Sequence, residues 1–207
     1  MKVIVFGATG QVGVHLLEQA LNQGHEVTAF TRSSDKLRRF ASRARIVEGD
    51  VFDLESVKAA VSGQDAVLCS LGNGRFGRVR AEGTNTIVMA MQATGVSRLI
   101  CQTTLGAGAS CGNLNFFWKY FMFGWFLRDV LADHEEQENI VHGSGLDWTI
   151  VRPGSFTQGE LTGRYRHGFE PHKKGLSLKI SCADVAHFML KQLPESAYLR
   201  MAAGLCY

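Results

Sequence analysis

The chain has 207 residues, of which 45% are hydrophobic and 20% charged, with a formal net charge of +3. A chain of this size and composition is expected to form one large water-soluble domain, residues 1–207, and it lacks the run of about eighteen apolar residues that a bilayer span requires. Lys and Arg are scattered rather than gathered into a basic tract, which argues against a nucleic-acid partner and leaves anionic small molecules as expected ligands. The five cysteines, Cys69, Cys101, Cys111, Cys182 and Cys206, are odd in number and contain no Cys-x-x-Cys pair. Reduced thiols in a cytoplasmic setting fit them best, with all but Cys111 expected to be buried. No metal site is expected. The apolar run at the start, Val3 to Gly7, is too short for a signal-peptide core.

The elements follow in βαβ rhythm. A strand is predicted at Lys2–Phe6 and runs directly into Gly7-Ala8-Thr9-Gly10-Gln11-Val12-Gly13, which opens a helix at Gln11–Asn22. In such a turn the first glycine permits the tight reversal, the second lets backbone approach a pyrophosphate, and the third lets helix and strand pack closely. The helix start adds unpaired N–H groups, so a dinucleotide is the expected ligand. The next strand, Glu26–Thr31, ends in Arg32-Ser33-Ser34 rather than an acidic residue. A guanidinium with neighbouring hydroxyls suits a 2′-phosphate, which favours NADP(H) over NAD(H); the competing reading of Arg32 is a solvated loop arginine.

A third strand, Ala44–Glu48, leads to Asp50 and Val51, placed to flank the adenine, and Asp53 is expected to cap a helix at Leu54–Ser62. A fourth strand, Ala66–Ser70, ends in Leu71-Gly72-Asn73-Gly74-Arg75, where the glycines admit ribose and phosphate and Arg75 either reaches a phosphate or is a surface charge on the loop. After a helix at Ala81–Thr94, a fifth strand, Arg98–Thr103, puts Thr103 and Thr104 at the cleft. They either contact nicotinamide or acceptor, or merely end a buried strand. One long helix is predicted from Asn115 to His142, opening with eight aromatics in the eleven positions Phe116 to Phe126. Three readings of that stretch stand open: a stacking wall over a flat acceptor, plain packing in a core or subunit interface, and an interfacial membrane anchor. A sixth strand, Trp148–Arg152, meets Pro153, Gly154 and Ser155. A loop-rich cap with one short hairpin is expected over about 154–180, then a helix at Cys182–Gln192 and a strand at Tyr198–Ala203. Helix stops are expected at Gly24, Gly63, Gly95 and Gly143. The pattern defines an α/β, Rossmann-type, doubly wound parallel sheet with helices on both faces.

Several motifs carry a family likeness: the Gly-Ala-Thr-Gly-x-x-Gly turn, Arg32, Gly49-Asp50-Val51, Gly63-Gln64-Asp65-Ala66-Val67, Ser144-Gly145-Leu146, Asp147 to Gly154, and Ile180-Ser181 with Asp184. Together they resemble the atypical short-chain dehydrogenase/reductase superfamily and its NmrA-like NAD(P)-binding members. Within it the chain is most similar to the biliverdin-IXβ and NADPH flavin reductase subgroup, over almost its whole length. That resemblance implies an NADPH-dependent reductase acting on a flavin or bilin, as a monomer or homodimer. The superfamily's Tyr-x-x-x-Lys pair is missing, and His134 falls where its lysine would stand. The subgroup's serine and histidine fall on Thr104 and Ser155, which makes Thr104, Ser155 and Thr103 the candidate catalytic-site residues. The alternatives are an NADP(H)-sensing or scaffolding protein of NmrA type, and an epimerase or dehydrogenase on a sugar-like alcohol.

Overall fold

A computed structural model describes residues 1–72 and 78–207. Six strands form the parallel body of the sheet: β1 (Lys2–Phe6), β2 (Glu26–Thr31), β3 (Arg45–Glu48), β4 (Ala66–Cys69), β5 (Arg98–Gln102) and β6 (Asp147–Pro153). They are ordered 3-2-1-4-5-6, so the winding direction reverses between β1 and β4. Val3 to Phe6 are apolar without alternation because β1 is covered on both faces. Its register runs Val3 against Val27 on one side and Val3 against Ala66 on the other.

One face carries α1 (Gln11–Asn22) and α5 (Cys182–Lys191), which close over Val3, Val5, Ile100 and Val151. The other carries α2 (Leu54–Val61), α3 (Val79–Thr94) and α4 (Arg128–Gly143), which close over Ile4, Phe6, Leu99 and Ile150. Asp53 caps α2 as expected, accepting from the Glu55 and Ser56 N–H groups. Gly95 ends α3 at φ +74°, but beyond α4 the left-handed residue is Gly145, not Gly143. Cys111 is exposed and the other four cysteines are buried, all as free thiols.

Three expectations need correction. The long helix from 115 to 142 is two pieces, a π-helical segment (Phe117–Phe126) and α4, parted at Leu127 with φ −118°. The wide winding is closed by the Leu127 N–H donating to Met122 O at 2.6 Å, and it sets Trp118 and Phe123, five apart, on one side with ring centroids 5.8 Å apart. The cap contains no hairpin: β7 (Ser155–Thr157) pairs in parallel with β9 (Lys179–Ser181), while β8 (Arg166–His167) joins the main sheet as an antiparallel edge. The last strand, β10 (Met201–Cys206), starts three residues later than predicted, because Tyr198 to Arg200 form a turn with Arg200 at φ 55°. It lies between β6 and β8.

Asp184 ties the cap down from the first turn of α5. It accepts from the Thr162 and Gly163 N–H groups at 2.9 and 2.8 Å and from the Tyr207 hydroxyl at 2.7 Å. Burial alone would raise its pKa, but these hydrogen bonds outweigh burial and hold it below the ordinary carboxylate value.

Candidate functional site

At the carboxyl ends of the strands, spanning the point of reversal, lies a cleft of about 580 Å3. Open parallel sheets bind ligands in that place, where loops diverge to either side. The glycine turn forms one wall. Gly7 sits at φ +78°, and a Cβ on it would run into the Ser70 carbonyl. A Cβ on Gly13 would run into the Gly7 carbonyl. α1 has no side-chain cap at Gly10 and no acidic residue in its first turn, so its leading N–H groups face the cleft unneutralised. Bare backbone in a cradle that any side chain would fill, at an uncapped helix start, fits the pyrophosphate of a dinucleotide.

The expected residues come together at this cleft with few exceptions. Gly7, Thr9 to Val12, Arg32, Asp50, Val51, Leu71 and Gly72 line it, as do Thr103, Thr104, Pro153 and Ser155. Gly13 stands behind the wall, and Ser33 is turned away, its N–H donating to Thr31 Oγ1 at 3.1 Å. Arg75 lies outside the described residues. The Arg32 side chain is exposed at the rim and makes no ion pair among the described residues. The Glu48 carboxylate on the neighbouring strand accepts the Ser34 N–H at 3.2 Å.

The floor is built from a buried polar row on α4 whose members sequence reasoning missed as site residues. Asp133 accepts the Ala81 N–H at 3.0 Å and pairs with Arg80 Nη1 at 3.2 Å, which holds the start of α3 and turns the Arg80 side chain to the cleft. Glu138 accepts from Arg152 Nε at 2.9 Å and from Thr103 Oγ1 at 2.7 Å. The Thr103 hydroxyl hydrogen is therefore directed away from the cleft. Thr104 and Ser155 are only partly covered, and the Ser155 hydroxyl makes no hydrogen bond to the described residues. Ser70 donates to Gln102 Oε1 at 2.8 Å beneath them.

His134, also on the wall, is buried, and burial together with the nearby Arg80 charge lowers its pKa to about 4. The outer wall is apolar, formed by Leu114, Trp118, Phe123 and Leu127. The other six aromatics of the Phe116–Phe126 stretch are exposed, Phe116 and Trp125 most of all at 78% and 73%. Two rings face the cleft, and the other six are exposed rather than packed in a core.

The sheet order, the glycine turn and the position of the cleft define a Rossmann-type NAD(P)-binding protein. The sequence profile described as NAD(P)H-binding matches residues 7–196, and the chain belongs to that family. An uncharacterised chloroplastic protein of Arabidopsis thaliana is 33% identical over 177 residues, covering 78% of this chain. The chain spans 61% of that relative's length, and 12% of the Mycobacterium tuberculosis proteins it also matches. Among solved structures, ChuY of Escherichia coli O157:H7, an anaerobilin reductase, superposes with a TM-score of 0.83 at 25% identity, covering 100% of this chain and 97% of that one. A short-chain dehydrogenase/reductase of Veillonella parvula in complex with NADP superposes at 0.85 with 16% identity, covering 100% and 94%, and that likeness shows the fold alone. No helix among the described residues is long and apolar enough to cross a membrane.

Proposed function

We propose that the chain is an NADPH-dependent reductase that passes hydride to a planar conjugated acceptor of the flavin or bilin kind. The observation that carries this reading is the continuity of one cleft, from the uncapped start of α1 to Thr104 and the apolar wall that Trp118 and Phe123 form. In this reading the Gly7–Gly13 turn takes the pyrophosphate, Arg32 the 2′-phosphate, and Asp50 and Val51 the adenosine side. Leu71 and Gly72 admit the phosphates and ribose, while Pro153, Thr103, Thr104 and Ser155 surround the nicotinamide. The bound dinucleotide supplies a hydride. The protein's part is orientation and exclusion of water by the aromatic wall. His134 holds no proton to give near neutral pH, so an acceptor that is protonated later by solvent suits the site better than a ketone needing immediate proton transfer.

The same inert floor favours one rival, an NADP(H)-sensing protein that binds without turnover. Following NADPH absorbance with purified protein and FMN, then biliverdin, separates the two. Oxidation of NADPH by either acceptor supports the reductase. Tight NADPH binding without oxidation would leave the sensor.

A further inference from the structure

His134 is the imidazole that the cleft wall presents among the described residues, and it is 6% exposed. Its Nδ1 lies 3.1 Å from Gln137 Oε1. Gln137 is fully buried, and its Nε2 donates to Thr84 Oγ1 at 3.0 Å and Cys101 Sγ at 3.3 Å. With the amide nitrogen turned to those two atoms, its oxygen faces the imidazole, and an oxygen can only accept. Nδ1 therefore carries the ring hydrogen, and Nε2 carries the lone pair. Nε2 has no hydrogen-bond partner among the described residues, yet it is not sealed away with the orphaned buried atoms, which are Gln19 Oε1, His25 Nδ1, Gln64 Oε1 and Gln192 Oε1. It opens on the cleft.

A second ring proton does not bind under ordinary conditions. Burial and the Arg80 guanidinium from α3 lower the pKa, while the Gln137 hydrogen bond and the Asp133 carboxylate on α4 oppose them only in part. Thr103 repeats the pattern beside it, since its hydrogen goes to Glu138 and leaves its lone pairs free. His134 Nε2 and Thr103 Oγ1 thus offer two acceptors to the cleft, which the Arg80 guanidinium also lines. A ligand group resting against Nε2 must bring its own hydrogen, because a carbonyl oxygen there would set lone pair against lone pair.

We propose that His134 is a ligand-reading residue whose Nε2 accepts a hydrogen bond from an O–H or N–H donor on the molecule bound in the cleft. The donor is a sugar hydroxyl of the dinucleotide or a ring N–H of the planar acceptor; the second source rests on the reductase reading given above.

Two binding arms, neither needing turnover, test this and tell the sources apart. The first measures Kd for NADP+ by fluorescence titration of the wild type, His134→Phe and His134→Asn. The second uses protein saturated with NADP+ and compares an isoalloxazine carrying its N3 hydrogen with the N3-methyl derivative. A sugar-hydroxyl donor predicts that His134→Phe weakens NADP+ by about tenfold, a hydrogen bond's worth. A ring N–H donor predicts that the wild type prefers the N3–H compound by about tenfold and that His134→Phe loses the preference. In either case His134→Asn, which can donate to Gln137 and still accept from the ligand, restores most of the loss. Two results overturn the inference: no change in either arm, or equal losses in the Phe and Asn variants, which mark packing alone. Imidazole 15N shifts of the wild type give an answer without any variant: hydrogen on Nδ1 is expected, and hydrogen on Nε2 would sink the idea. Failure of the reductase reading shows separately, as NADPH left unoxidised in the presence of FMN and biliverdin.

Discussion

Thr103 donates to Glu138 at 2.7 Å, and the same carboxylate is held by Arg152, so the end of β5 and the end of β6 are joined through one acid on α4. Removing one member of a buried ion pair leaves the other uncompensated, whereas removing a neutral donor does not. Glu138→Gln is expected to lower stability by about 3 kcal/mol, and Thr103→Val by about 1 kcal/mol. Urea unfolding of the two variants checks the order. A larger loss for Thr103→Val would show that the ion pair is not what holds the floor.

Arg32 stands at the rim without an ion-pair partner among the described residues, available to a 2′-phosphate. Arg32→Ala should raise Kd for NADPH by about 10- to 100-fold and leave NADH within about twofold, as expected for loss of a charge-assisted bidentate contact. Calorimetric titration with both cofactors decides it. Equal effects on the two would remove the preference for NADP(H).

Trp118 and Trp125 belong to one aromatic stretch but differ in orientation, since Trp118 lines the cleft and Trp125 is 73% exposed. Trp118→Ala is expected to raise KM for a planar acceptor by about tenfold with NADPH affinity unchanged, through lost stacking. Trp125→Ala should leave both constants near wild type. Steady-state kinetics with FMN would contradict the assignment if the two variants behaved alike.

The imidazole of His134 also fixes a pH dependence. Its folded pKa is lowered from 6.5 to about 4, so as pH falls through that interval the unfolded chain takes up a proton that the folded chain refuses. Stability is therefore undiminished above about pH 6.5 and declines towards pH 4, by up to about 3 kcal/mol from this group. Arg80 on α3 and Asp133 on α4 are the charges that face it. His25 and His167, both lowered first by burial, act in the same direction. Urea midpoints at about pH 7 and pH 4.5 should differ less in His134→Phe than in the wild type. An unchanged difference would mean that His134 is not the responsible group.

What the sequence disclosed was local in origin. β1, α1 and β2 have the boundaries read from periodicity, because their glycines, caps and apolar runs are neighbours along the chain. β7 and β9 escaped notice because three-residue strands exist only through each other, Ser155 opposite Lys179 at a distance no local pattern encodes. The π-winding escaped for the same reason, since what matters is which pair of rings meets the cleft. The α4 row was half visible. Asp133, Glu135, Glu136 and Glu138 are alike as acids along the chain, yet 133, 134, 137 and 138 share a buried stripe at helical spacing and 135 and 136 lie opposite. Their partners, Arg80 and Thr84 on α3, Thr103 after β5 and Arg152 on β6, come from three separate elements, which a single sequence does not join.

That stripe also divides the cleft into a part that resists change and a part that tolerates it. Substitutions in little more than one turn of α4 would disturb the ends of β5 and β6 and the start of α3, so the floor can alter only as a block. The Phe116–Phe126 wall has only Phe123 among its buried side chains. It can be rewritten one ring at a time and, on the reductase reading proposed above, new acceptors would be accommodated there with the glycine-turn half of the cleft left as it is.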